Sequence, residues 1–398
     1  MKILVLNSGS SSVKYKLFEM PAGDLLASGM IDKIGAKDSK IIHELKGKPK
    51  HEVMTPIPSH EAGLKLVIAL LADKEQGVVK DTKEITAVGH RVVHGGEAFT
   101  GSVLINDEVI KTIEEYYDLA PLHNPPNMAG IKAAKDLMPH AKQLAAFDTA
   151  FHTTIPKHAF LYALPYEVYD KYKVRKYGFH GTSHRYVARR AAELLKKDKY
   201  AVSVITCHLG NGSSITAVKN GKSVDTSMGL TPLEGVAMGT RSGDIDPAII
   251  FYLAGKEGMD LDKINTMMNK KSGVLGISGI SNDMRNIHEA IAKGNERAKL
   301  AFEIFSYKIK KYIGSYMAVL NGTDAIVFTG GIGEKDEFVR EYICSNMETL
   351  GIKFDAKRNL DKAKKEREIS AADSKVKVFI IPTDEEVRIA ADTYENVK

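Results

Sequence analysis

Cysteine is nearly absent. The chain has two in 398 residues, Cys207 and Cys344, far apart and in no metal-ligand spacing. That excludes a disulfide framework and a zinc site and points to a reducing compartment. Long apolar runs are also missing. The greasiest segment, residues 64–72, is broken by Lys65 and spans half a membrane at most. The opening apolar run, residues 3–6, is too short for a secretion signal. The expectation is a cytoplasmic protein with no membrane partner. Neither sign of charge is concentrated: the net charge is +6, and the densest basic run, residues 308–311, has apolar neighbours at helical spacing. Such a run is a solvated helix face and not a nucleic-acid surface, although a modest positive charge suits an anionic substrate. No G-x-x-x-x-G-K-[ST] loop occurs, and the Gly330–Glu334 turn lacks the G-x-G-x-x-G spacing.

A chain of 398 residues predicts two domains. With no low-complexity linker, the boundary falls softly near residue 150: 1–150 and 151–385, with a terminal helix over 386–398 returning to the first. The opening stretch, ILVLNSGSSSVKYKLF over residues 3–18, reads as strand, small polar turn, strand. As sequence alone it is either an ordinary turn or a phosphate cradle. Small side chains let a ligand approach the backbone amides, Gly9 can take a positive φ, and Lys14 shares a strand face with Ser12. The pattern returns as CHLGNGSS over residues 207–214, pairing Gly9-Ser10-Ser11 with Gly212-Ser213-Ser214 at an offset of 203 (212 − 9). A third Gly-rich turn, FTGGIGE over 328–334, follows an apolar run and opens a helix.

Between these turns, Ser59 opens an amphipathic helix carrying Leu64, Val67, Ile68 and Leu71, and Pro125 or Pro126 starts another. A strand over 143–147 delivers Asp148 at its C-terminal end, where open α/β sheets bind ligands. Residues 226–247 form a long Gly-containing loop, and loops of that length are usually functional. A long helix spans 295–320, with Phe305, Ile309, Tyr312, Tyr316 and Leu320 on one side, a face for either a dimer contact or the core. Residues 272–281 read as a Gly/Ser-rich connection.

Ten segments, in order, resemble the acetate and propionate kinase family over essentially the whole chain. They include NSGSSSVK (7–14), HRVVHGGE (90–97), PLHNPPN (121–127), FDTAFH (147–152), YGFHGTSH (177–184), HLGNGSS (208–214), MGTRSGDIDP (238–247) and PTDEE (382–386). The resemblance implies an α/β fold of duplicated ribonuclease-H-like, actin-like ATPase domains facing a central cleft. It also implies ATP/ADP with Mg²⁺ (or Mn²⁺), reversible phosphoryl transfer to acetate, and a homodimer.

By the same resemblance Arg91 holds the acetate carboxylate and Arg241 the moving phosphoryl group, roles that suit a guanidinium fork. Each could instead pair with an acid in its own domain. His180 is a transition-state donor, and His123 and His208 are further active-site histidines. Asp148 is not needed as a base, because acetate is already ionised near neutral pH; it orients Arg91, a neighbouring donor or metal-bound water. Glu385 is the metal carboxylate, in preference to Glu386, with Asn7 beside it. Val93, Leu122, Phe179 and Pro232 enclose the methyl group. Nucleotide contacts fall on Lys14, Ser10 and Ser12, on His208, Leu209, Gly210, Asn211 and Gly212, on Asp283, Met284 and Arg285, and on Gly331, Ile332, Gly333, Glu334 and Lys335. The chain departs from the family pattern at Lys335-Asp336, Asp384 and Ala237. A propionate or other short-chain acyl kinase is the near alternative; an ATP-driven chaperone or filament protein, or a scaffold with a dead site, are more distant ones.

Overall fold

The computed structural model describes residues 1–121 and 123–398, and Leu122 lies outside them. The chain divides into two units, Met1–Phe151 with Asp384–Lys398, and His152–Thr383.

The first unit is built on a sheet of eight strands: β1 (Lys2–Ser8), β2 (Val13–Glu19), β3 (Asp24–Asp32), β4 (Lys40–Leu45), β5 (His51–Met54), β6 (Ile85–Val92), β7 (Val103–Leu104) and β8 (Lys142–Phe147). Their order is β5-β4-β3-β2-β1-β6-β8-β7, with β1, β6 and β8 mutually parallel and the other pairings antiparallel. Ile3, Leu4, Val5 and Leu6 of β1 are all buried, as expected of a central strand covered on both faces. Leu4, Leu6, Val13, Tyr15 and Leu17 pack beneath the helices His60–Leu71 and Asn124–Leu137. Ile3, Val5, Phe18, Ala87 and Leu144 pack on the opposite face against Ile389 and Ala390 of the terminal helix Glu385–Val397. That helix starts where Asp384 accepts from the Val387 amide at 3.1 Å, so its capping residue immediately precedes Glu385.

The second unit carries six strands: β9 (Ser203–Leu209), β10 (Ser213–Lys219), β11 (Lys222–Thr226), β12 (Ala325–Thr329), β13 (Arg367–Glu368) and β14 (Lys377–Ile380). Their order is β11-β10-β9-β12-β14-β13. Counted from the antiparallel hairpin, β9, β12 and β14 run parallel and β13 closes the edge antiparallel. The succession β3-β2-β1-β6-β8-β7 in the first unit is the same, so the duplicated ribonuclease-H-like topology is present in the strand pairing itself.

The register corrects the residue match. In β1/β2 the last pairs are Asn7–Lys14 and Ser8–Val13; in β9/β10 they are His208–Ser214 and Leu209–Ser213. Gly9 therefore corresponds to Gly210, not Gly212, and Ser213 and Ser214 are strand residues. Matching the glycines failed because the second turn is one residue shorter. Gly9 is also not left-handed: its amide donates to Ser12 O at 2.8 Å without a positive φ. Two further expectations resolve. Phe305, Ile309, Tyr316 and Leu320 of the helix Glu296–Leu320 belong to the buried core, so that face is not an outward surface. The stretch 272–281 contains a short helix, Gly273–Ser278, hidden by its glycines and serines.

Candidate active site

In the first unit, Arg91 lies near the end of β6 and Asp148 immediately follows β8. The two strands are parallel neighbours with Arg91 opposite Ala146, so both side chains emerge at the same sheet end. Arg91 Nη2 donates to Asp148 Oδ2 at 2.8 Å. Glu385, at the start of the terminal helix, brings Oε2 within 3.5 Å of Arg91 Nε. Burial alone would weaken the Arg91 charge, but Asp148 and Glu385 hold its proton more firmly than usual. Burial pushes the Glu385 carboxyl up to about 7; Asp148 and Glu386 add to the rise, while Arg91 and Lys14 oppose it. The neighbouring Glu386 instead meets Lys16 at 3.2 Å, so the two adjacent carboxylates face different cations.

The rest of this end is held by side-chain amides. Asn127 accepts from the Val93 amide at 3.0 Å and donates to Ser8 O at 2.6 Å, tying the loop after β6 to the end of β1. Asn124 accepts from the His94 amide and donates back to its carbonyl. Both asparagines lie in the helix Asn124–Leu137, which explains the PLHNPPN motif as a brace for HRVVHGGE. Val93 is buried, His123 half-buried, Ser12 half-buried, and Ser10 and Lys14 exposed.

In the second unit, His180 caps the helix Gly181–Leu194 in a left-handed conformation, φ 56°. Its Nδ1 meets Ser214 Oγ at 2.8 Å, and its ring stacks on His208 with centroids 4.2 Å apart. A Cβ on Gly212 would stand 3.2 Å from Arg241 Nη1 and 3.7 Å from His180 Nε2, so both groups approach one point beside the hairpin turn. Burial weakens the hold of Arg241 on its proton. Among the described residues no carboxylate lies within 4.0 Å of it, unlike Arg91. Such a desolvated cation suits an anion it does not itself contain.

A cavity of about 610 Å³ opens in the same unit, a volume suited to a nucleotide-sized ligand. Of the expected nucleotide contacts it is lined by Gly210, Asn211, Asp283, Met284, Arg285, Gly331, Ile332 and Lys335. Gly330 has φ +78° and a Cβ there would lie 2.7 Å from Leu209 O, so only glycine lets this turn press against β9. His208, Leu209, Gly212, Gly333 and Glu334 do not line the cavity. Leu209 is buried core, the Gly333 carbonyl is held by Arg340, and Glu334 accepts from the Gly330 amide at 3.0 Å. Glu334 braces the turn from within. Phe179 is buried and Pro232 half-buried in this unit.

Sequence reasoning missed several neighbours. Asn282, His288, Asp336, Glu337 and Phe338 also line the cavity. Asp336 receives His288 Nε2 at 2.8 Å and caps the helix Glu337–Cys344. The departure at Lys335-Asp336 thus carries a capping role, and Asp is a strong N-cap. His152, His184, Thr206 and Ser214 were unassigned, although three of them fall in the quoted motifs.

Three comparisons with known proteins bear on the site. The model of the acetokinase family matches residues 2–391. The chain is 56% identical over 399 residues to the acetate kinase of Thermoanaerobacter pseudethanolicus, covering 100% of this chain and 99% of that one. It is 56% identical over 400 residues to the acetate kinase of Thermotoga maritima, with the same coverage. Among solved structures, Porphyromonas gingivalis acetate kinase superposes with a TM-score of 0.96 at 50% identity, covering all of both chains. A propionate kinase from Francisella tularensis superposes at 0.92 with 43% identity, again over both chains entirely.

Proposed function

This chain belongs to the acetokinase family, and from that premise we propose how its residues divide the family's reaction. The reaction is that of an acetate kinase, a phosphotransferase with a carboxyl acceptor. ATP and acetate give ADP and acetyl phosphate, and the reverse. An acetate oxygen bonds to the γ-phosphorus as the bond to the ADP oxygen breaks, in line, and no proton needs to be removed.

The first unit serves the acyl group and the metal. Arg91 binds the acetate carboxylate, and Asp148 fixes the guanidinium by its 2.8 Å bond. The second unit serves ATP. The 610 Å³ cavity takes the nucleoside, with Gly210, Asn211, Gly331, Ile332 and Lys335 of its two turns near the phosphates. Arg241 and His180 neutralise charge on the moving phosphoryl group. The observation that carries this division is the contrast between the arginines. Arg91 is already clamped by two carboxylates, while Arg241 is half-buried with none within 4.0 Å among the described residues.

Glu385 and Asn7 would hold Mg²⁺, with Mn²⁺ a substitute. Their chemistry fits: Glu385 is a buried carboxyl beside Asp148 whose ionisation burial disfavours, and a divalent cation would restore it. Among the described residues no three acidic, histidine or cysteine groups form a cage. Mg²⁺ needs none where substrate phosphates and water complete its shell. When bound, the ion neutralises phosphate charge. Lys14, Ser10 and Ser12 add donors near the first turn. Val93 would meet the methyl group in the first unit, with His123 beside the carboxylate; Phe179 and Pro232 are the second unit's candidates for the same group, and Leu122 lies outside the described residues. A cytoplasmic location suits two buried, unbridged thiols. A homodimer is the family expectation, and it needs a surface other than the buried face of Glu296–Leu320.

Hydroxylamine trapping of acyl phosphate from acetate, propionate and butyrate, with ATP and Mg²⁺, tests the reading. Acetyl hydroxamate should dominate and vanish with a chelator. ATP hydrolysis without any hydroxamate would overturn it, and a propionate preference would favour the propionate kinase alternative.

A further inference from the structure

Four side chains of the second unit form a hydrogen-bonded chain that ends at His180. Thr206 Oγ1 meets His184 Nδ1 at 2.7 Å, His184 Nε2 meets Ser214 Oγ at 2.7 Å, and Ser214 Oγ meets His180 Nδ1 at 2.8 Å. Thr206, His184 and Ser214 are all fully buried. Each hydroxyl has one proton, and a neutral imidazole has one donor and one acceptor nitrogen. Among the described residues the buried Ser214 hydroxyl has no partner but these two rings, so its proton goes to one of them and the chain can run in only two directions.

Thr206 decides which. Among the described residues, His184 Nδ1 is the only hydrogen-bond partner of its hydroxyl. In one direction Thr206 donates to His184 Nδ1, His184 Nε2–H donates to Ser214, and Ser214 donates to His180 Nδ1. In the other, His184 Nδ1–H donates to Thr206 and leaves the buried Thr206 proton without an acceptor. An unsatisfied buried donor is strongly disfavoured. Burial also pushes the protonation of His184 well below the ordinary imidazole range, with His152 and His208 contributing, so this ring stays neutral and passes one direction along.

We propose that Thr206, His184 and Ser214 are positioning residues that fix the tautomer of His180. They supply a donor to its Nδ1 and so place its ring proton on Nε2, the nitrogen nearest the point shared with Arg241. His180 then meets the phosphoryl oxygen as a neutral N–H donor, and it is neither a base nor a proton source. No bond to hydrogen is broken in this role, which suits a reaction that transfers no proton. The inference rests on the phosphoryl-transfer reading of the site, but its readout does not.

The experiment is ¹⁵N spectroscopy of the imidazole rings in the full chain near neutral pH. The His180 signals are assigned by their loss in His180→Gln. The expected result is a protonated Nε2 and an unprotonated Nδ1. Thr206→Val, close in shape to threonine, should return His180 to a tautomer mixture. It should lower kcat about tenfold while the ATP KM stays within about twofold. Thr206→Ser should restore both. An Nδ1–H or doubly protonated His180 in the unmodified chain would overturn the proposal. So would a Thr206→Val spectrum with His180 unchanged. If the unmodified chain makes no acyl phosphate, the functional reading fails while the tautomer result still stands or falls on its own spectrum.

Discussion

The two hairpins occupy the same place in two copies of one topology and carry different chemistry. One pair before its turn, β1/β2 sets Asn7 opposite Lys14, and β9/β10 sets His208 opposite Ser214. The first pair offers a neutral oxygen and an exposed cation, which suit a metal and phosphates. The second offers a ring stacked on His180 and the hydroxyl that bonds His180. The arginines divide the same way. Arg91 is held by Asp148 and Glu385, and Arg241 has no carboxylate within 4.0 Å among the described residues. Duplication supplied two sheet ends; the side chains there made one a cation held between two carboxylates and the other a site short of negative charge.

The sharpest break of that contrast is Arg241→Gln. With no carboxylate left behind, the substitution removes a cation and strands nothing. The protein should fold normally while kcat falls about a thousandfold, roughly 4 kcal/mol of transition-state stabilisation. Steady-state kinetics with circular dichroism would check both. A kcat within about tenfold of the parent would place the charge-neutralising group elsewhere.

Each unit buries a histidine that resists protonation. In the first, His90 donates from Nε2 to Gln143 Oε1 at 2.7 Å, while the Gln143 amide is turned by its bond to Ala141 O. Burial lowers His90 to about 4, against an ordinary value near 6.5. Below about pH 6.5 the unfolded chain gains a proton that the folded chain refuses, so stability falls as pH falls from about 6.5 to about 4. At roughly 1.4 kcal/mol per pH unit, His90 alone accounts for roughly 3 kcal/mol over that window. His90→Gln should reduce the pH dependence of urea-unfolding stability across it, leaving the slopes that His43 and His184, also lowered by burial, add. An unchanged slope would mean that His90 is protonated in the folded state.

Asp148→Asn attacks the clamp. It keeps the shape and removes the charge that holds Arg91, leaving Glu385 as the remaining acid at 3.5 Å. The expected loss is about thirtyfold in kcat, roughly 2 kcal/mol, with the acetate KM raised only a few-fold. A steep rise in KM at constant kcat would assign Asp148 to simple acetate binding.

Much of this contrast was legible in sequence because it lay in contiguous motifs. The strand-turn-strand pattern, the helix opened by Ser59, the long helix begun near residue 295 and the cavity-lining turns all depend on residues a few positions apart. What could not be read depended on contacts across elements. Thr206 and Ser214 reach His184 from 22 and 30 residues away, on two different strands. No spacing rule marks a threonine inside β9 as the start of a hydrogen-bonded chain. The residue match between the hairpins failed on a turn one residue shorter, which only pairing register reveals. The face of Glu296–Leu320 was apolar enough for either core or interface, and composition could not choose between them.

The smallest effect concerns the methyl pocket. Val93 follows β6 two residues after Arg91, and its amide is fixed to Asn127 Oδ1 at 3.0 Å, so the backbone there cannot drift when the side chain shrinks. The side chain is buried, and Val93→Ala removes two methyl carbons from a wall that the anchored backbone holds in place. Propionate carries one methylene more than acetate, worth roughly 1 kcal/mol in an apolar pocket. The ratio of propionate to acetate kcat/KM should therefore rise about fivefold, mainly through a lower propionate KM, with the Arg241-dependent part of kcat untouched. A ratio that stays constant would remove Val93 from the acyl pocket. A fall in kcat for both acids alike would mean that it supports the Arg91 clamp and does not line the pocket.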